Sequence, residues 1–276
     1  MKQGSFLSLF PGKKPIIGMV HLQKLDGQRG FISEEYVIAK AKHDIQMWQQ
    51  GGIDGLIIEN WQEEAVRPRI SRRRAASLRR VIVAISGDVH VPFGINVLNN
   101  DYQTAYAIAS VCSASFIQLD TFVDRVVSDF TYNVLAKSHP FVVEVDRVHM
   151  KRVARYYGQE ALPVLCGIHP KHYRMIDAKK TIEQSAKEAK EEGAAGVVIT
   201  KATGVAPYRD VFLQVRSVID IPVGIGSGFS PDTAKALFPL VDFAIVGTYA
   251  KIDGVTDNPV DSKRVSHLMR VVAGCR

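Results

Sequence analysis

Eight short apolar runs, spread along the whole chain, constrain this fold more than any other feature of the sequence. They are PIIGMVHL from Pro15, GLIIEN from Gly55, VPFGINV from Val91, SFIQLD from Ser115, PVLCGI from Pro163, GVVITK from Gly196, PVGIGSG from Pro222 and FAIVGT from Phe243. Each is nearly continuous in apolar and β-branched residues instead of alternating with polar ones. A strand buried on both faces of a parallel sheet has this pattern. Between the runs lie segments of helical periodicity: Glu34 to Gln50, Asp101 to Cys112, Ala178 to Glu192, Tyr208 to Val218, Pro231 to Leu237 and Asp261 to Val272. Asp177, Ser230 and Asp261 stand where N-caps are expected, and Pro231 takes the first helical position after Ser230. Eight such repeats in 276 residues predict one (β/α)8 TIM barrel over residues 1–276, because a closed parallel sheet leaves no edge strand.

One connection breaks the rhythm. From Thr121 to Leu162 the chain is far longer than an ordinary crossover. It holds a strand-like FVVEV from Phe141 and a helix-like DRVHMKRVARYYG from Asp146. Residues 121–162 therefore read as an insertion after the fourth strand, either a lid over the barrel mouth or a packed surface element.

The net charge of +7 is concentrated in one place. RPRISRRRAASLRR, residues 67–80, holds seven arginines and no acid, and the rest of the chain is balanced. Leu78, Val81, Ile82 and Ile85 recur at helical spacing beside the arginines, so the stretch reads as an amphipathic helix with a basic outer face. It lacks the interleaved aromatics of a surface that tracks nucleic acid, and no nucleic-acid partner is expected. A solvated face is the plain reading; contact of Arg67–Arg80 with an anionic surface or another subunit is the alternative, and a homo-oligomer is expected. No apolar run approaches the roughly 20 residues of a membrane span, and MKQGSFLSLFPGKK makes a poor signal peptide, so a cytoplasmic protein is expected. Cys112, Cys166 and Cys275 are odd in number and widely spaced, which suggests neither a disulfide framework nor a zinc site.

The last two runs end in glycine. Gly226, Ser227 and Gly228 follow the seventh run, and Gly247 and Thr248 follow the eighth. In a (β/α)8 barrel the loops after strands seven and eight commonly build a phosphate site, and glycine lets backbone N–H groups approach an anion closely. These residues are expected to hold a phosphoryl group.

The segments GMVHL, LIIENW, GINVLNND, KATG, GSGFSP, AIVGTYAKIDG and NPVD resemble those of the BtpA/SgcQ family of TIM barrels. The resemblance runs from Pro15 to the C-terminal helix and is weakest from about Phe122 to Leu162. It implies a barrel of the ribulose-phosphate-binding kind. One branch of the family is associated with photosystem I biogenesis and another accompanies sugar-uptake genes.

Catalytic groups of this fold stand at the C-terminal ends of strands. Those ends carry His21, Glu59 and Asn60, Asn96, Asp120, then His169, Lys171 and His172, and finally Thr200 and Lys201. Glu59 and Asp120 suit acid–base work if both face one cavity, one protonated and one ionised. His169 is expected to assist them as an acid–base group, and Lys201 to contribute charge. His21, Asn60, Asn96, Lys171 and Thr200 are expected to bind substrate. The backbone around Pro170 argues against a metal pair from His169 and His172, and neither a metal nor a cofactor is expected. The resemblance adds three departures: Asp120 stands where relatives often have Asn, Gly167 where they have Asp, and Lys201 where they usually have a small residue. The expected function is acid–base chemistry on a phosphorylated sugar or nucleotide. Two alternatives stand beside it: a non-catalytic assembly factor acting through the arginine-rich helix, and a Schiff-base lyase using Lys201.

Overall fold

All eight apolar runs become strands of one closed parallel barrel in the computed structural model, which describes residues 6–63, 67–128 and 140–276. The strands in chain order are β1 (Ile16–His21), β2 (Gly55–Glu59), β3 (Phe93–Asn96), β4 (Phe116–Leu119), β5 (Val126–Ser128), β6 (Val142–Val143), β7 (Val164–Ile168), β8 (Tyr173–Met175), β9 (Gly196–Ile199), β10 (Val223–Ile225) and β11 (Phe243–Val246). The barrel runs β1–β2–β3–β4–β7–β9–β10–β11 and closes on β1, while β6, β5 and β8 form a small antiparallel sheet beside it. The helices are α1 (Glu34–Gln50), α2 (Arg72–Ser86), α3 (Tyr102–Cys112), α4 (Arg147–Tyr156), α5 (Ile182–Glu191), α6 (Arg209–Arg216), α7 (Pro231–Leu237) and α8 (Ser262–Ala273). Among the described residues no helix is long and apolar enough to cross a membrane.

The N-terminal end of the barrel is packed with aromatic rings. Phe6, in a short 3-10 turn, lies edge-on to Phe10, Phe116 and Phe243, with ring centres 5.2, 5.1 and 5.0 Å away. Gly94 and Gly224 make room for this layer, because a Cβ at either position would overlap the Phe116 or Phe243 ring. The floor is therefore filled, and open space is left at the C-terminal mouth.

Several expected boundaries move for local reasons. The arginine-rich helix starts at Arg72, not Arg67, because the Ser71 side chain accepts from the Arg74 N–H and caps it there. Leu78, Val81, Ile82 and Ile85 are buried beneath it. On its outer side Arg73 pairs with Asp26 at 2.7 Å, Arg80 with Glu34 at 2.5 Å, and Arg74 with Glu63. Acids from other parts of the chain thus balance part of the basic cluster. Asp177 does not cap α5. Thr181 does, in a reciprocal capping box with Gln184.

The long connection divides into two parts. Its helix, α4, is the crossover between β4 and β7 and lies beside α3, where Tyr102 Oη and His149 Nδ1 are 2.9 Å apart. The surplus is the segment carrying β5 and β6; residues 129–139 of the expected 121–162 insertion lie outside the described residues. Buried Asp124 anchors its start, accepting from the His169 N–H at 2.8 Å, Ser185 Oγ at 2.6 Å and Lys180 Nζ at 3.0 Å.

A second buried charge fixes the loop after β11. Lys251 Nζ lies 2.5 Å from Asp44 Oδ2 on α1, and Asp44 Oδ1 accepts from the Val260 N–H at 2.8 Å. Replacing Lys251 by Met leaves the Asp44 carboxylate buried without its cation, and should cost about 3–5 kcal/mol in urea unfolding. The double variant Lys251→Met/Asp44→Asn should recover a large part of that loss.

Candidate functional site

The strand register assembles the site. His21 on β1 pairs with Glu59 on β2, Glu59 with Asn96 on β3, and Asn96 with Gln118 on β4. Four polar side chains thus stand abreast on neighbouring strands at the C-terminal end of the barrel. Asp120 follows two residues after Gln118, which in an extended chain returns it to the same side, one step nearer the mouth.

Above this row opens a cavity of about 580 Å³. Of the residues singled out from sequence, His21, Glu59, Asn96, Asp120, Lys171, Thr200, Gly226, Ser227, Gly228, Gly247 and Thr248 line it. Asn60, His169 and Lys201 do not. Asn60 braces the loop after β3, accepting from the Leu98 N–H at 2.8 Å and donating to Leu98 O and Glu63. His169 has a backbone φ of 45° and its N–H is bound to Asp124, while His172, at φ 68°, lines the cavity instead. Lys201 places its ammonium 3.6 Å from the centre of the exposed Tyr208 ring, where a cation–π contact competes with the carboxylates for it. Among the described residues no cluster of three or more His, Cys, Asp or Glu side chains is arranged to hold a metal ion.

The carboxylates are coupled. Asn96 Nδ2 donates to Glu59 Oε2 at 2.9 Å and to Asp120 Oδ1 at 3.3 Å, and Tyr173 Oη donates to Asp120 Oδ2 at 2.7 Å. Burial pushes the Glu59 carboxyl up to about 8, and the charge of Asp120 adds to the rise against opposition from Lys171 and Asn96. Burial also raises Asp120, but the Tyr173 and Asn96 donors and the Lys171 charge oppose it. Two donors reach Asp120 and one reaches Glu59, so the hydrogen bonds favour the proton of the pair on Glu59 and the negative charge on Asp120. His21 lies 3.9 Å from Glu59 Oε1 and against the Trp61 ring at 5.0 Å. Burial, reinforced by the Lys251 and Lys171 charges, holds it well below the ordinary histidine range, so its ring is neutral. Burial and Lys171 likewise lower His172 to about 4.

The glycine-rich loops form the opposite wall. The Gly226 N–H is taken by Ile199 O, and the Ser230 N–H by Thr233 Oγ1. The amides of Ser227, Gly228, Gly247 and Thr248 donate to no protein group among the described residues. Gly228 has φ 62°, and a Cβ there would overlap the Val205–Ala206 backbone, so only glycine fits. Gly167 is constrained in a similar way: a Cβ on it would run into the carbonyl oxygen of Asp120.

Tyr173, Gln118, Asn99 and Trp61 also line the cavity, beyond the residues that the sequence singles out. Gln118 left a trace as a polar residue inside an apolar run. Tyr173 left none, because it comes from the antiparallel sheet beyond a strand end.

Fold and site together define a (β/α)8 barrel with a coupled acid pair on one side of its mouth and glycine-rich loops on the other. The BtpA family profile matches residues 12–274, and the chain belongs to that family. An uncharacterised protein of Pyrococcus furiosus is 31% identical, with 94% of this chain and 95% of that protein aligned. The photosystem I biogenesis protein BtpA of Synechocystis is 27% identical over 96% of this chain and 90% of its own length. Among solved structures, (S)-3-O-geranylgeranylglyceryl phosphate synthase from Thermoplasma acidophilum, in complex with sn-glycerol-1-phosphate, superposes with a TM-score of 0.57. Its identity is 16%, with 94% of this chain and 93% of that chain covered.

The raised Glu59 carboxyl has a measurable signature. In the unfolded chain it would titrate near 4.5, so between that pH and about 8 the native state binds the extra proton. Stability contributed at this position is then present below that window and falls as pH rises through it. Glu59→Gln, an uncharged isostere, should lack this decline. The melting-temperature difference, variant minus parent, should grow as pH is raised across the window and level off above it. A difference independent of pH would place the proton elsewhere.

Proposed function

We propose that this protein is an enzyme that binds a phosphorylated sugar and transfers protons to and from it. The observation that carries the reading is a set of buried polar atoms around the cavity. Asn96 Oδ1, Gln118 Oε1, Asn99 Nδ2 and His21 Nδ1 have no hydrogen-bond partner among the described residues, and all four residues line the cavity. Unpartnered buried polar groups are costly, and a ligand that satisfies them recovers that cost. Two of the atoms are acceptors, and the Asp120 carboxylate beside them is a third. A partner for such a row must bring several donors, as the hydroxyls of a sugar do. The free amides of Ser227, Gly228, Gly247 and Thr248 suit the phosphoryl group at the other wall. The Thermoplasma synthase, a barrel of the same fold, was solved with a phosphorylated polyol bound, which lends support.

In this reading neutral Glu59 gives a proton to an oxygen of the substrate, and ionised Asp120 takes one. Asn96 holds the two carboxyl groups in fixed relation, and Tyr173 keeps Asp120 ionised by donating to it. Neutral His21 and His172 orient hydroxyls without adding charge. Lys171, while protonated, offsets the negative charge of Asp120. Lys201, over Tyr208, acts on the incoming anion from outside the cavity.

Thermal-shift measurements with sugar phosphates beside their unphosphorylated parents test the binding half. A phosphorylated ligand at 100 times its Kd should stabilise the fold by about 2.7 kcal/mol, and the parent sugar far less. Ser230→Asp is the informative variant. Aspartate is a good N-cap, so α7 is preserved, but its carboxylate lies at the cavity wall where a phosphate would bind. The variant should keep its own melting temperature and lose the ligand-induced shift; an undiminished shift would remove the phosphate site. Once a turned-over substrate is in hand, Glu59→Gln and Asp120→Asn should each lower kcat by about 10² or more.

A further inference from the structure

We propose that Lys171 is a nucleophilic amine and that the substrate presents an open-chain aldehyde or ketone to it, as a phosphorylated aldose or ketose does. The proposal rests on the sugar-phosphate reading above and names the reacting group.

Three other lysines of this chain are each held by a partner. Lys251 is tied to Asp44 at 2.5 Å. Lys180 lies between Asp124 at 3.0 Å and Glu188 at 2.6 Å. Lys201 sits on an aromatic ring. Lys171 has no such partner: among the described residues no carboxylate lies within ion-pair distance of its ammonium and no acceptor binds it. Its main chain, in contrast, is held firmly. The Lys171 N–H donates to Thr200 Oγ1 at 3.0 Å, and it is flanked by Pro170 and by the left-handed residues His169 and His172. A fixed backbone with an untethered amine inside the cavity that also holds Glu59 and Asp120 is an arrangement for reaction more than for structure.

Its surroundings fit the chemistry. Burial lowers Lys171 from the ordinary lysine range, and the charges of Glu59 and Asp120 only partly oppose this. Because Glu59 carries a proton at neutral pH, one carboxylate charge remains to hold the amine cationic, not two. The same proton is available to the reaction. The neutral Lys171 amine attacks the carbonyl carbon; a C–N bond forms and the C=O π pair moves to oxygen. That oxygen takes one proton from the nitrogen and a second from Glu59, and leaves as water. The nitrogen lone pair closes the C=N bond, giving an iminium ion and a Glu59 carboxylate. Asp120 then stands ready to remove a proton from the neighbouring carbon or its hydroxyl.

The experiment uses the full chain. D-Glyceraldehyde 3-phosphate and dihydroxyacetone phosphate are each incubated with the protein, sodium borohydride is added, and the modified lysine is located by peptide mass spectrometry. Reduction of the iminium should leave a stable secondary amine on Lys171, at a yield at least tenfold above any other lysine, and inorganic phosphate should suppress it. Lys171→Arg, which keeps the charge, should give no adduct at position 171 and no compensating adduct at Lys201. An unmodified Lys171 with both probes, or an adduct chiefly at Lys201 or on surface lysines, overturns the proposal. Glycerol 1-phosphate, which has no carbonyl, separates the two readings. A thermal shift with it upholds the phosphate site whatever the trapping result, and absence of that shift counts against the site itself.

Discussion

The site depends on strand register. A one-residue slip between β1 and β2, or between β2 and β3, would turn the row His21–Glu59–Asn96–Gln118 out of alignment, because side chains alternate faces along a strand. Barrel closure makes such a slip impossible to confine to one pair of strands, since every barrel strand is hydrogen-bonded on both sides. The aromatic layer of Phe6, Phe10, Phe116 and Phe243 fastens the opposite end. Packing at the floor thus holds the geometry of polar groups at the mouth, and isolated buried polar atoms can persist there without collapse of the fold.

The fold was legible in the sequence because its cause is local and repeated. Each barrel strand is covered on both faces, so it appears as an unbroken apolar run. Each crossover helix covers one face, so it appears as a stripe. Boundaries were less legible where two caps competed: Asp177 and Thr181 both suit the start of α5, and only the capping box with Gln184 decides between them. The connection of residues 121–162 read as one insertion because its crossover helix and its extra strands are continuous in sequence.

For the site, position at a strand end was legible, in the glycine-rich loops as well as on the strands, but the direction of a single loop side chain was not. Glu59, Asn96 and Asp120 inherit their direction from strands, so position in the sequence predicts where they point. Asn60, one residue beyond Glu59, faces the neighbouring loop by the same alternation. Lys171 and Lys201 lie in loops, where direction depends on backbone turns at His169 and His172 and on a competing ring, Tyr208. No periodicity encodes either. Tyr173, which tunes Asp120, arrives through pairing of β8 with β5, a long-range contact that polar loop residues do not announce.

Gly167 carries a consequence of a different kind. Its missing Cβ is the space occupied by the Asp120 carbonyl, so the two positions share one volume. A side chain introduced at 167 would displace the backbone that aims Asp120, so it would act on the carboxylate without touching it. The two strand ends are therefore joined sterically through the main chain: any side chain at 167 has to be accommodated by movement of the peptide at 120, whichever side chain residue 120 carries.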